Sequence, residues 1–280
     1  MKTQILKDQF EIAAGSVIGR DHLRLGRNNQ DAYGYVLNER MAIALVCDGC
    51  GSGAHSEVGA KLGNRLFTQI LTYKLGQPNV WKEGLSEEFW TLVYKDFLAE
   101  LRSVAIALGD HLPSIIQDYL LFTLVGAVMT PEATTLFSIG DGVIAVNGKV
   151  KRLGPFPGNA PPYPAYGLLP EFPLERSQVV VHHQLPTREV QSLLVGTDGV
   201  GDLLNAATQS LPGKPEPVGA IAQFWEEDAY FQNPDQVRRR LFLVNREVTR
   251  LDRITSRLSR ETGLLSDDTT LVVMRRRERE

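Results

Sequence analysis

The sequence predicts an α+β fold in which antiparallel sheets are covered by helices. Three features of the element order carry that prediction: strand-like runs outnumber helical ones, two helical patterns follow one another directly in the first half, and a further helical region precedes one last strand. A parallel α/β fold would instead alternate strand and helix along the chain.

Glu11 to Gly19 reads as the first strand. Met41 to Cys47 (M-A-I-A-L-V-C) is an apolar run of strand length ending at Asp48-Gly49, and its lack of alternation implies burial on both faces. A helix follows, with Val58, Leu62, Leu66 and Ile70 recurring every four residues and Phe67 and Leu71 widening the stripe. In a second helix Trp90, Tyr94, Phe97, Leu101, Val104 and Leu108 step by three or four; Glu87 and Glu88 favour its positive N-terminal end and Gly109 closes it. Tyr119 to Thr130, Thr134 to Gly140 and Gly142 to Val146 are rich in β-formers. Asn147-Gly148 is a hairpin signal, with Lys149 to Leu153 as the returning strand.

Gly154 to Pro173 contains seven prolines and resists regular structure. Ser177 to His183 and Ser192 to Thr197 read as strands. The last helical region opens at Asn233-Pro234, a cap followed by a first-turn proline, and Val237, Leu241, Val244, Val248, Leu251, Ile254 and Leu258 mark its buried stripe. Thr269 to Met274 is the final strand, and Arg275 to Glu280 reads as a solvated tail.

The chain has 280 residues, 43% of them hydrophobic, which suits one large domain or two small ones. No repeat, low-complexity tract or Gly/Ser linker interrupts it, so a single domain over 1–280 is the simpler reading. A net charge of -3 from 30 basic and 33 acidic residues implies no strong field, so neither nucleic acid nor a membrane is an expected partner. The opening residues lack the apolar core of a signal peptide, and no apolar run is long enough to cross a bilayer. Two cysteines, Cys47 and Cys50, require no disulfide framework and fit a reducing compartment, so the cytoplasm is the expected location. Nothing in the pattern specifies an oligomeric state.

Several aspartates stand at strand ends: Asp48 after Met41 to Cys47, Asp141 after Leu136 to Gly140, Asp198 after Leu193 to Thr197, Asp267 and Asp268 before Thr269, and Asp31 before Ala32. Strand ends can gather such residues at one rim of a sheet sandwich. Carboxylates brought close must be paired, protonated or neutralised by a cation. Asp-and-water sites suit Mg²⁺ or Mn²⁺, whereas zinc is disfavoured by the scarcity of Cys and His. Asp-Gly is also a common turn dipeptide, so Asp141-Gly142 reads equally as a hairpin turn and as a ligand. The turn reading is weaker for Asp48-Gly49 and Asp198-Gly199, which helical patterns follow.

The segments N-N-Q-D-A, V-C-D-G-C-G-S-G, S-I-G-D-G, V-G-T-D-G-V-G-D and S-D-D-T-T-L-V-V span most of the chain. In order and spacing they resemble the type 2C metal-dependent serine/threonine protein phosphatases, in a divergent bacterial-like branch. The resemblance implies two central antiparallel sheets sandwiched between helix pairs. It implies two divalent cations, Mn²⁺ or Mg²⁺, and a looser third. Asp48 would bridge the first two, helped by the Gly49 carbonyl, with Asp198 and Asp267 on the other metal. Asp31 would act directly or through water, and Asp141 and Asp202 match the third site. The implied reaction is hydrolysis of phosphoserine or phosphothreonine in a protein substrate by a metal-bridging hydroxide, with no phosphoenzyme. A variable flap lies in the family near the position of the proline-rich segment here, about 154–176. Its Tyr163 and Tyr166 either meet the substrate or pack within the loop.

The first motif departs from the family pattern. Its glutamate is Gln30, and its arginine position is Gly26, with Arg27 one place later and Arg24 two places earlier. Arg27 is the preferred phosphate ligand and Arg24 the runner-up. In the second motif Cys50 stands where the family has a histidine proposed to protonate the leaving group; His55 is a substitute or an ordinary helix-start residue. Cys47-Asp48-Gly49-Cys50 has the form C-x-x-C but no second ligand pair for zinc. An active phosphoprotein phosphatase is therefore the expected function. The alternatives are a catalytically weak phosphatase-like binding module and a small-molecule phosphatase.

Overall fold

The computed structural model describes residues 5–77, 85–172, 177–252 and 257–277. In chain order its helices are α1 (Leu6–Gln9), α2 (Arg20–Leu25), α3 (Ser56–Gly76), α4 (Glu87–Leu108), α5 (Leu112–Ile115), α6 (Val200–Asn205), α7 (Gln223–Glu226), α8 (Ala229–Gln232) and α9 (Gln236–Asn245). Its strands are β1 (Phe10–Val17), β2 (Ala32–Leu37), β3 (Ala42–Gly49), β4 (Phe122–Met129), β5 (Ala133–Ile139), β6 (Gly142–Val146), β7 (Lys149–Leu153), β8 (Val180–Pro186), β9 (Ser192–Gly196), β10 (Val248–Asp252), β11 (Arg257–Glu261) and β12 (Thr269–Arg276). Two five-stranded sheets, β1-β12-β9-β6-β7 and β2-β3-β4-β5-β8, are antiparallel throughout. This is the α+β sandwich of two sheets between helices that the sequence predicts.

Strand β3 explains the layering. Ile43, Leu45 and Cys47 point to one side and pack with Phe67 and Leu71 of α3 and Phe97 of α4. Ala42, Ala44 and Val46 point to the other side, into the layer between the sheets, with Val125, Ala127, Val195 and Val272. Bulky side chains therefore face the helices while small ones let the sheets approach, and both faces of β3 are buried as expected. The second sheet is covered by α6 and α9 through Leu203, Val237, Leu241 and Val244.

The helix α3 buries only the Phe67 and Leu71 edge of the predicted stripe. Val58, Leu62, Leu66 and Ile70 lie half-buried on its flank, while Gly59, Ala60, Gly63, Asn64, Phe67, Leu71 and Leu75 face the core. Close approach is the reason: a Cβ on Gly59 would lie 1.9 Å from the Tyr119 carbonyl oxygen, so small residues bring this face closest to its neighbours. In α4 the buried stripe ends at Ala105, and Leu108 is exposed.

Two further expectations are corrected. The helix α9 stops at Asn245, and β10 and β11 form a separate hairpin where the stripe was read to continue. Val248 to Asp252 pairs strand to strand with Arg257 to Glu261, leaving Leu251 and Leu258 exposed; Ile254 lies outside the described residues. Nor does the tail begin at Arg275. That side chain bonds Glu11 at 2.9 Å and Asp228 at 2.6 Å and covers the Phe231 ring, while Arg276 donates to the Val190 and Thr187 carbonyls. Of the proline-rich segment, the described part forms two short 3₁₀ turns, Pro157–Asn159 and Pro164–Leu168; Pro173 lies outside it.

Candidate metal centre

Both sheets end at one rim, and there a cleft of about 340 Å³ is lined by Asp48, Asp141, Asp198 and Asp267, together with Gly49, Thr123, His22 and Tyr163. Each aspartate arrives from a different strand end. Asp48 is the second-last residue of β3, Asp141 lies between β5 and β6, Asp198 after β9, and Asp267 just before β12. Asp48 and Asp198 are within hydrogen-bond reach of each other. Because β5 and β6 belong to different sheets and do not pair, Asp141-Gly142 is a crossing between the sheets and not the hairpin turn it could have been, and Asp141 faces the cleft. Gly49 is confined there: a Cβ would lie 2.8 Å from the Gln30 carbonyl oxygen and 2.9 Å from Ser56 Oγ.

Asp31 opens β2 immediately beneath this cluster. One carboxylate oxygen accepts a 2.8 Å hydrogen bond from Thr197 Oγ1; the other, Oδ1, is buried without a partner, as is Gln30 Oε1. Asp202 stands apart from the lining. Its Oδ2 accepts from both the amide and the hydroxyl of Ser266 and so pins the loop that carries Asp267. Two carboxylate–amide bonds complete the support: Asp268, buried, accepts from Gly19 N through Oδ1 and from Gln30 N through Oδ2, each at 2.6 Å.

The electrostatics follow from crowding. Among the described residues, no lysine or arginine lines the cleft. Burial, followed by the charges of Asp31, Asp198 and Asp267, holds the Asp48 carboxyl well above the usual carboxylate range. Burial and then Asp268 do the same to Asp31, only partly offset by hydroxyls of Thr270 and Thr197. Asp198 is pushed up to about 6, by desolvation first and Asp267 next. It opens to solvent on the cleft side and is enclosed by protein on the others. Asp141 and Asp267 are also raised, in both cases chiefly by desolvation. A donor set dominated by carboxylate oxygens, with the His22 ring beside Asp267 and Asp268, an unpartnered buried carboxylate oxygen and an excess of negative charge fit a hard divalent cation.

The two arginines of the first motif differ. Arg27 Nη1 donates to the Gly51 carbonyl at 2.5 Å, on the cleft rim; Arg24, half-exposed, lies 3.7 Å from Asp21. Cys50, on the lining, is half-buried. Desolvation raises its thiol, but hydrogen bonds from Ser52 and Tyr163 more than offset this and leave it below the usual range. His55 stays at the N-terminus of α3, its ring 5.1 Å from that of Tyr119. Tyr163 is buried and lines the cleft, with Tyr166 edge-on to it and Phe172 stacked on Tyr166, so the segment packs on its own aromatics and also contributes a wall.

Sequence reasoning missed His22. It enters the cleft from α2 with Nδ1 3.0 Å from Asp268 Oδ2, beside Asp267. The available signal was slight: one of only five histidines, nine residues before Asp31.

With this geometry described, the comparisons with known proteins are direct. The chain matches the sequence profile of protein phosphatase 2C over residues 18–241 and belongs to that family. Its fold is similar to the catalytic domain of the serine/threonine protein phosphatase PstP, a structure in complex with two manganese ions; identity is 15%, TM-score 0.55, and coverage 96% of this chain and 99% of that one. It is also similar to the serine/threonine phosphatase Stp1 of Staphylococcus aureus, at 14% identity and TM-score 0.52, covering 96% of each chain. A bacterial serine phosphatase gives 14% identity and TM-score 0.55, with 97% of this chain and 99% of that one covered. No curated protein sequence matches. No helix among the described residues is long and apolar enough to cross a membrane.

Proposed function

We propose that this member of the phosphatase family is a metal-dependent hydrolase of phosphoserine and phosphothreonine in proteins, acting as a single catalytic unit in the cytoplasm. One observation carries the reading: four aspartates from four strand ends converge on one cleft that, among the described residues, no lysine or arginine lines. Asp48, with the Gly49 carbonyl, Asp198 and Asp267 would hold two Mn²⁺ or Mg²⁺ ions, Asp31 directly or through water, and Asp141 with Asp202 a third. When bound, the cations supply an activated water and neutralise the charge that develops on phosphorus. The protein's own groups do the rest. Thr197 orients Asp31, and Asp268 fixes the Gln30 backbone beside it. Arg27 receives the phosphate: its present partner is a neutral carbonyl, so its charge remains available. Tyr163 walls the cleft against water. The free thiols of Cys47 and Cys50 support a reducing location.

The test is p-nitrophenyl phosphate and phosphopeptide turnover with Mn²⁺ or Mg²⁺, with chelator, and with Asp48→Asn. Hydrolysis that needs the cation and is lost in the variant is expected. Undiminished turnover in chelator sinks the metal reading, and turnover of small phosphomonoesters with none of phosphopeptides sinks the protein-substrate reading.

A further inference from the structure

The β10–β11 hairpin has two unlike faces. On one, Val248 lies opposite Glu261 and Arg250 opposite Ser259; on the other, Leu251 lies opposite Leu258 and Thr249 opposite Arg260. The first face is fastened down. Glu261 Oε2 accepts from Gly213 N at 2.7 Å, and Arg250 donates to the Gly213 carbonyl. The second face is uncovered: its paired leucines are 59% and 71% exposed. Directly opposed aliphatic side chains are the ordinary furniture of a buried sheet face, so their exposure here marks a surface built to be covered.

That face is continuous with the cleft rim. Arg260 pairs with Glu247 at 2.5 Å, and Arg260 first and then Arg24 hold the Glu247 carboxyl below its usual range. Arg24 belongs to α2, whose His22 lines the cleft. The hairpin foot is anchored to the same segment, through Asn245 Nδ2 to the Ile18 carbonyl at 2.7 Å and Arg20 Nη1 to the Gly263 carbonyl at 2.8 Å. Charge gives the partner's sign. Over residues 20–27 and the outward-facing Glu247 and Arg260 the sequence has four arginines and two acids, in a chain whose net charge is -3.

We propose that the outward face of this hairpin, together with α2, docks a segment of the phosphoprotein substrate in which acidic residues flank an aliphatic side chain. The aliphatic group covers Leu251 and Leu258 while the acids meet the arginines. This rests on the phosphatase reading but is tested apart from it. The probes are a fluorescent, unphosphorylated peptide of alternating Glu and Leu, for binding, and three substrates: p-nitrophenyl phosphate, a phosphopeptide with neutral flanks and one with Glu/Leu flanks. The variants are Leu258→Glu and the milder Leu251→Ser/Leu258→Ser.

The wild type is expected to bind the acidic peptide and to favour the acidic phosphopeptide. Both variants should raise the peptide's Kd and that substrate's KM about tenfold, as loss of an interface anchor does, with kcat and p-nitrophenyl phosphate turnover unchanged. Equal binding by wild type and variants overturns the proposal. So does a wild-type dimer that Leu258→Glu dissociates without effect on peptide binding, which would assign the face to a second copy of the chain. Peptide binding lost in the variants, in a protein that hydrolyses no phosphate ester, would uphold the docking surface and overturn the catalytic reading alone.

Discussion

The two ends of strand β12 hold opposite solutions to the problem of charge. At the Thr269 end, Asp267 and Asp268 join Asp31, Asp48 and Asp198, with no arginine or lysine among the described residues of the cleft lining. At the Arg275 end each cation has its partners: Arg275 has Glu11, Asp228 and the Phe231 ring, and Arg276 has backbone carbonyls and the Phe10 ring. One end is left unbalanced for a ligand to complete; the other is closed on itself and supports the sandwich. Stability and function are thus separated along a single strand eight residues long.

Four substitutions or conditions test that separation. The largest effect is expected at the open end: Asp48→Asn should lower metal-dependent turnover about a hundredfold or more, since a proposed ligand is lost outright. The same variant should raise the melting temperature of chelated protein, because a crowded charge is gone. A variant that is both inactive and less stable would break the comparison. Next comes the closed end. Arg275→Ala strips Asp228 of this cation and leaves Glu11 only the 3.7 Å contact with Arg277, and it should cost about 2 kcal/mol in denaturant unfolding, with specific activity per folded molecule unchanged.

Arg27 sharpens the contrast, because its partner is a carbonyl where Arg275 has carboxylates. Arg27→Ala should raise KM for phosphate esters about tenfold while leaving metal affinity and stability alone. If Arg24→Ala does this instead, the alternative alignment of the first motif is right.

The smallest effect is on pH. The Asp198 carboxyl holds its proton up to about 6, above its unfolded value near 4, so the stability it gives chelated protein is complete below about pH 4 and lost as pH rises through 6. Chelated protein should therefore melt higher at pH 5 than at pH 7.5, and Asp198→Asn should flatten that slope. A melting temperature that instead rises toward pH 7.5 would show that other groups dominate.

Much of the fold was legible because burial wrote it: the apolar runs of β3 and β9 end at Asp48 and Asp198, and the Asn147-Gly148 turn joins β6 to β7. The hairpin was illegible for a specific reason. Leu251 and Leu258 are seven residues apart, which is two turns of a helix and also the separation of opposed partners across this hairpin. In α3 the apolar period was real but marked the flank, since glycines set the contact. The tail looked solvated because paired and unpaired arginines are spelled alike. At the site, the aspartates were readable from strand ends, whereas His22 depends on a turn of helix folding across the rim, which no local pattern announces.

Asp268 has a consequence for how the protein is made. It ties Gly19 and Gln30 to a residue 249 and 238 positions later. A chain growing from the ribosome carries the first motif for almost the whole of its synthesis with no clamp to shape it. Contacts so distant in sequence are the slow part of folding, and they close last. The clamp on Gly19 and Gln30 therefore cannot form until residue 268 has emerged. Translation itself sets the moment at which the cleft is first assembled.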